Sequence, residues 1–164
     1  MANNIVFSRI DSRLIHGQVA TKWTTNYRVT HILVVDRASA TDDFLSMMLR
    51  MAAPMGTSVV VATPEKAAEM YEKGELANGR WFCLFKDVEN VAQAFDAGLK
   101  MESLDVGNLP MREGAKSVLR SISVTQKDID MLRHCAEGGM EIYFQIFPGD
   151  PKLTLEKAEE KFSK

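Results

Sequence analysis

Cysteine is scarce in this chain. The only two, Cys83 and Cys135, lie at a spacing that matches neither a zinc site nor a Cys-x-x-Cys pair. A disulfide scaffold is therefore excluded; Cys83, in an apolar strand-like run, is expected to be a buried core thiol, and both cysteines to be reduced in a cytoplasmic protein. Long apolar runs are missing as well, and none approaches the ~20 residues needed to span a bilayer. Met1-Ala2-Asn3-Asn4 lacks the basic-then-apolar order of a signal peptide, so none is expected. Charge of one sign is also lacking: 20 Lys and Arg stand against 22 Asp and Glu, a net charge of -2. No global basic field draws in nucleic acid. The Gly-x-Gly-x-x-Gly and Gly-x-x-x-x-Gly-Lys-Ser/Thr fingerprints are absent, which removes the usual dinucleotide and P-loop sites. No His, Cys, Asp or Glu cluster has metal-ligand spacing, and no metal or organic cofactor is expected.

What the chain does have is alternation. Short apolar runs and amphipathic stretches follow one another from end to end, in a composition that is 46% hydrophobic and 26% charged, as in ordinary globular domains. Candidate strands are Asn4–Arg9, His31–Asp36, Ser58–Ala62, Arg80–Phe85, Ser103–Val106, Ser121–Val124 and Met140–Phe147. The first four are compact and apolar, as strands covered on both faces are. The last alternates in character and reads as a half-exposed edge. Helix starts are signalled by Ser39 with Asp42, Thr63 before Pro64, Asp87, Thr125 with Asp128, and Thr154. Pro54, Gly74, Gly98 and Gly138-Gly139 mark helix ends. Phe44, Met48 and Met51 form an apolar stripe on one helix. The pattern predicts one α/β domain over residues 1–164, a three-layer α/β/α sandwich with a mostly parallel, about seven-stranded sheet. The least regular stretch, Gly107 to Ser117, carries Asn108, Arg112 and Lys116 and has the character of a functional loop.

Chemistry concentrates in Ser8-Arg9-Ile10-Asp11-Ser12-Arg13-Leu14-Ile15-His16-Gly17-Gln18-Val19. This segment links the first strand to a helix expected over Gly17–Tyr27. Ligands of open α/β sheets collect beyond the carboxyl ends of strands, and helix N-termini favour anions. A histidine among arginines there points to a phosphoryl group. Neutral imidazole is a nucleophile, and Arg9 and Arg13 would hold phosphoryl oxygens in a forked geometry. Asp11 would accept one ring N–H and leave the other nitrogen free to attack. Gly17 lets backbone approach the phosphate. Gln18 and Lys22 face either the loop or solvent. The competing reading makes His16 a packing or capping residue and the arginines solvated surface charges. His31 and His134 read as structural or surface residues. Asp36 and Arg37 read equally as ligand-edge residues or as a turn before the next helix.

On these residues the chain resembles the IIB component of the mannose/fructose/sorbose family of the phosphoenolpyruvate-dependent sugar phosphotransferase system. The resemblance rests first on Arg9-Ile10-Asp11-x-Arg13-Leu14-Ile15-His16-Gly17-Gln18-Val19. It continues through Met51-Ala52-Ala53-Pro54, Asp105-Val106-Gly107-Asn108 and Ser121-Ile122-Ser123-Val124-Thr125. It implies a cytoplasmic carrier in which His16 accepts a phosphoryl group from a phosphorylated IIA component. His16 then passes that group to a sugar held by IIC and IID membrane components. Arg9, Asp11, Arg13, Gly17 and Gln18 would bind or orient the group. Arg9, Arg13, Lys22, Arg112 and Lys116 would form a basic rim for docking. The chain departs from the family pattern at Ser12, commonly aspartate, and at Asp36-Arg37, commonly Asn-Asp. Two readings stand beside this one: a small α/β enzyme using His16 as general base, and a regulatory ligand-binding domain.

Overall fold

The computed structural model describes residues 3–164, apart from the side chains of Gln18 and Val19. In chain order the elements are β1 (Ile5–Asp11), α1 (Gly17–Asn26), β2 (His31–Val35), α2 (Arg37–Ala40), α3 (Asp43–Met51), β3 (Ser58–Ala62), α4 (Pro64–Glu72) and β4 (Trp81–Phe85). They continue with α5 (Val88–Asp96), β5 (Ser103–Asn108), β6 (Lys116–Leu119), β7 (Ile122–Val124), α6 (Gln126–Glu137), β8 (Glu141–Phe144), β9 (Leu153–Thr154) and α7 (Leu155–Ser163). Seven strands form one sheet in the order β3-β2-β4-β1-β5-β8-β9. All its neighbours pair in parallel except β9, which runs antiparallel to β8.

The apolar runs at β2 and β4 occupy the middle of this sheet, where both faces are covered. On one face Phe7, Ile32, Val34, Phe82 and Leu84 pack against Ala20 and Trp23 of α1, with Leu49 of α3 at the margin. On the other, Leu33, Cys83, Phe85 and Val106 meet Ala67 of α4, Val91 of α5, Leu132 of α6 and Ala158 of α7. The three layers foreseen from the alternation are present. Strands β1 and β4 are neighbours, yet the helices that follow them, α1 and α5, lie on opposite faces. Their carboxyl ends therefore flank a topological switch point, the crevice where α/β sheets bind ligands.

Three sequence expectations need correction. Ser121–Val124 is no strand of the main sheet. Its residues from Ile122 pair antiparallel with β6 in a separate hairpin, which begins at the end of the stretch read as irregular. Met140–Phe147 shortens to β8 and is not an edge, because β9 covers its outer side. Ser39 does not open the helix carrying Phe44. Asp36 caps the short α2, accepting from Ser39 N, and Asp42 caps α3, accepting from Phe44 N and Leu45 N. The Phe44–Met48–Met51 stripe then faces solvent rather than the core.

Candidate functional site

Asp11 is the last residue of β1, and the loop Ser12–His16 carries the chain over the sheet edge to α1. Within this loop Leu14 holds a left-handed backbone, φ 57°, a costly conformation for a residue with a branched side chain. Gly17 follows with φ 36°, and a glycine there removes the penalty that a side chain would add. Asp11 is buried and organises the turn. Its Oδ1 accepts from Arg13 N and Arg13 Nε, both at 3.0 Å, and its Oδ2 accepts from Arg13 Nη2 at 3.0 Å. The Arg13 guanidinium is thus gripped side-on while remaining 46% exposed. Among the described residues its Nη1 has no partner.

Arg9 is not on the loop. It is the fifth residue of β1, with only 1% of its surface exposed. Its Nη1 donates to Asp105 Oδ2 at 2.5 Å and to Gln145 O at 2.9 Å. Its Nη2 donates to Ile146 O at 3.1 Å and, more weakly, to Asp11 Oδ2 at 3.5 Å. Its guanidinium also lies 4.9 Å from the Trp23 ring centre. Both Nη atoms are committed and the side chain is buried, Nε without a partner, so Arg9 reaches neither a phosphoryl group nor a partner surface. It anchors Asp11 from below. Asp105, fully buried, is the second carboxylate that Arg9 pairs with. Burial pushes it up to about 7, against the pull of the Arg9 guanidinium and the Gln145 amide. The approach of Arg9 also explains Gly107. This residue is the bulge in β5 opposite Ile10–Asp11, and a β-carbon on it would lie 2.0 Å from Arg9 Cζ.

His16 occupies the N-cap position of α1 with an extended backbone and makes no side-chain cap. The other six helices are capped by the side chains of Asp36, Asp42, Thr63, Asp87, Thr125 and Thr154. The first N–H groups of α1 therefore receive no such carboxylate or hydroxyl. Asp11 was expected to accept a ring N–H of His16, and it does not. Its oxygens are taken by Arg13 and Arg9, and Leu14 O lies 2.8 Å from His16 Nδ1 instead. A neutral ring with its proton on Nδ1 donates there and keeps its lone pair on Nε2. That nitrogen has no hydrogen-bond partner and is turned under the loop, in a crevice of about 10 Å³ lined by Leu14, Ala20, Trp23, Phe82 and Leu84 with Arg9 and Asp11.

Ser12 lies beside a larger cavity of about 400 Å³, shared with Lys86, Asp87, Leu109, Arg112 and Asp128. Lys86 Nζ donates to Ser12 O at 3.0 Å, and Ser12 Oγ donates to Asn108 Oδ1 at 2.6 Å. Arg112 reaches this cavity, ion-paired with Asp128 and donating to Ser123 O. Lys116 does not line it. It is on β6, its Nζ donating to Phe162 O at 3.0 Å and lying 4.9 Å from the Phe162 ring centre. Lys116 thus stands apart from the cavity beside Ser12, its ammonium on α7. Lys22 is exposed on α1, 5.7 Å from the Phe147 ring centre, in a groove with Thr21, Thr25 and Pro148. The side chain of Gln18 lies outside the described residues. Asp105, Gly107, Lys86 and the Leu14 carbonyl were not singled out from the residues. A carboxylate inside an apolar strand, as in Leu104-Asp105-Val106, was the one available signal, since such a charge demands a buried partner.

No group of His, Cys, Asp and Glu among the described residues is arranged to hold a metal ion. No helix among them is long and apolar enough to cross a membrane.

Similar proteins share this fold. The chain is 34% identical over 151 residues to the mannose-specific EIIAB component of Escherichia coli K12, covering 92% of this chain and 47% of that protein. It thus spans about half the length of that relative. It is 29% identical over 161 residues to the sorbose-specific EIIB component of Lacticaseibacillus casei, covering 98% of both. The crystal structure of the IIBSor domain of the Klebsiella pneumoniae sorbose permease superposes with a TM-score of 0.89 at 30% identity, covering 96% of this chain and 97% of that one. That of manxB from Thermoanaerobacter tengcongensis gives 0.90 at 30% identity, covering 98% of each. The family model described as "PTS system sorbose subfamily IIB component" matches residues 5–163. By sequence over almost its full length, and by the sheet order that carries the His16 loop, the chain belongs to the sorbose-subfamily IIB components of the PTS.

Proposed function

We propose that residues 1–164 form a cytoplasmic phosphoryl carrier whose acceptor is His16. In this reading the donor is a phosphohistidine on a IIA component, and the recipient is a sugar held by IIC and IID membrane partners. The observation that carries it is the exposed Arg13 guanidinium, locked by buried Asp11 on the same short loop as His16. That loop runs into the one helix N-terminus that, among the described residues, has no side-chain cap from its N-cap residue. Such an arrangement offers preorganised donors to an incoming phosphoryl group, and positioning with charge stabilisation is most of what phosphoryl transfer asks of a protein.

The imidazole must first turn out from under the loop. Turning breaks its hydrogen bond to Leu14 O, a cost of about 1 kcal/mol that partner docking offsets. The nitrogen–phosphorus bond to the donor ring then breaks as one to His16 forms. Arg13 and the first N–H groups of α1 hold the phosphoryl oxygens, Gly17 letting them approach. Lys22 and Arg112 form the basic rim on which the IIA component docks. The general-base and regulatory readings lack a second reactive group at the loop.

The test is intact mass after incubation with phosphoryl-loaded IIA. The wild type gains one phosphoryl group, lost in mild acid and kept in alkali, as a phosphoramidate is. His16→Ala gains none, while His31→Ala and His134→Ala gain it. Label retained in acid moves the acceptor to a hydroxyl, and release by hydroxylamine together with loss in alkali moves it to a carboxylate. Either result ends the carrier reading.

A further inference from the structure

Helix α3 is turned inside out. Its apolar residues Phe44, Met47, Met48 and Met51 are between 44% and 77% exposed, while the residues it gives to the interior are Ser46 and part of Leu49. The four fall at positions i, i+3, i+4 and i+7, one stripe along one side of the helix. Leu45 and, just past the helix, Met55 add exposed apolar surface beside it. Contiguous apolar surface of this kind on a folded domain marks an interaction site, and methionine is the side chain best suited to repack against a partner. The stripe lies on the connection from β2 to β3, and neither the His16 loop nor the cavity beside Ser12 uses it.

The stripe is its own complement. Laid antiparallel on a second copy, with a two-fold axis between Met47 and Met48, Met47 meets Met48 of the second copy and Phe44 meets Met51 of the second copy. The a/d-like spacing interdigitates as in a short antiparallel coiled coil. The ends match in charge as well. Asp43 is on the first turn of α3 and Arg50 on its last, both exposed and on the same flank of the stripe. The antiparallel arrangement brings each Asp43 alongside the Arg50 turn of the other copy and sets the two helix dipoles head to tail.

From this face we infer that the chain self-associates through α3 as a two-fold dimer. A contact of one helix pair is smaller than the ~800 Å² per partner of standard stable interfaces, so the dissociation constant belongs in the range of roughly 10–100 µM.

The test is sedimentation of the full chain from 5 to 500 µM. Wild type is expected to pass from monomer to dimer across this range. Met48→Glu should raise the dissociation constant at least ~30-fold, the size of a central hot spot, with no loss of melting temperature, since the side chain touches no core. Asp43→Arg and Arg50→Asp should each weaken the dimer, and the two together should restore it. A wild type that stays monomeric at 500 µM overturns the inference and leaves the face to another partner. A dimer indifferent to Met48→Glu overturns it too, as does failure of the paired charge reversal to restore association.

Discussion

Two strands of this sheet end in nearly the same way. β1 closes on Asp11, with Arg13 two residues later; β2 is followed by Asp36, with Arg37 next to it. Both carboxylates are buried, and both organise the turn that follows. The difference lies in what closes around them. Asp36 Oδ2 accepts from Ser39 N at 3.1 Å and from its hydroxyl at 2.5 Å, and Oδ1 accepts from Asn90 Nδ2 at 3.2 Å. Arg37 is held by Glu65 of α4 and by Gln93 of α5. The guanidinium at β2 is answered by another carboxylate through its Nη2, which joins α2 to α4 and α5. At β1 the carboxylate and the arginine answer each other, and the arginine keeps an open side. A charged turn at a strand's carboxyl end is thus only a candidate site. What sets the β1 turn apart is that its arginine is paired within the turn itself, on the loop that carries His16, and not to neighbouring helices.

Mutation should pull the two turns apart. Arg13→Ala removes the open donor and is expected to slow transfer from IIA by ~100- to 1,000-fold, about 3–4 kcal/mol in the barrier. Its stability cost should be roughly 1 kcal/mol, because the side chain is half exposed. Rapid-quench transfer and thermal melting on the same sample check this, and a large fall in melting temperature with unimpaired transfer would make Arg13 structural. Asp36→Ala should give the opposite pattern. It removes the α2 cap and leaves Asn90 and the Ser39 hydroxyl short of a partner, a loss of about 2–3 kcal/mol in urea unfolding. Transfer per folded molecule should stay within about twofold, and a much larger fall would bring the β2 end into the site. The smallest effect belongs to Arg37→Ala. Its pair with Glu65 is solvent-exposed, so the melting temperature should move by less than ~2 °C and transfer should not change. A transfer defect in this variant would mean that the β2 turn faces the docked partner.

The layers were legible in the sequence because they rest on local periods. Compact runs such as Ile32–Val35 and Phe82–Phe85, and caps such as Thr125 with Asp128, announce themselves within a few residues. The β6–β7 hairpin was not legible. Lys116-Ser117-Val118-Leu119 has no clear alternation, and its turn depends on a left-handed Ser121, φ 65°, which composition does not signal. At the site, His16, Asp11 and Arg13 were visible as a cluster, but their wiring was not. Arg9 read as a phosphoryl-binding residue, or else a surface charge, because its partner, Asp105, stands 96 residues away. The acceptor for His16 Nδ1 is a backbone carbonyl, which every residue has, so no residue type could indicate it. Helix α3 misleads in another way: period locates a face but not the side on which the core lies.

The bulge at Gly107 ties two distant stretches of the gene to a single fate. Because the Arg9 guanidinium fills the space a side chain at 107 would need, neither position can drift alone. A homologue with any other residue at 107 should have lost the arginine at 9, and with it the reason for a carboxylate at 105. Substitutions at these three positions should therefore arrive together or not at all. A designer who wishes to vary the loop above them should do so from Ser12 onward and leave this triplet as it stands.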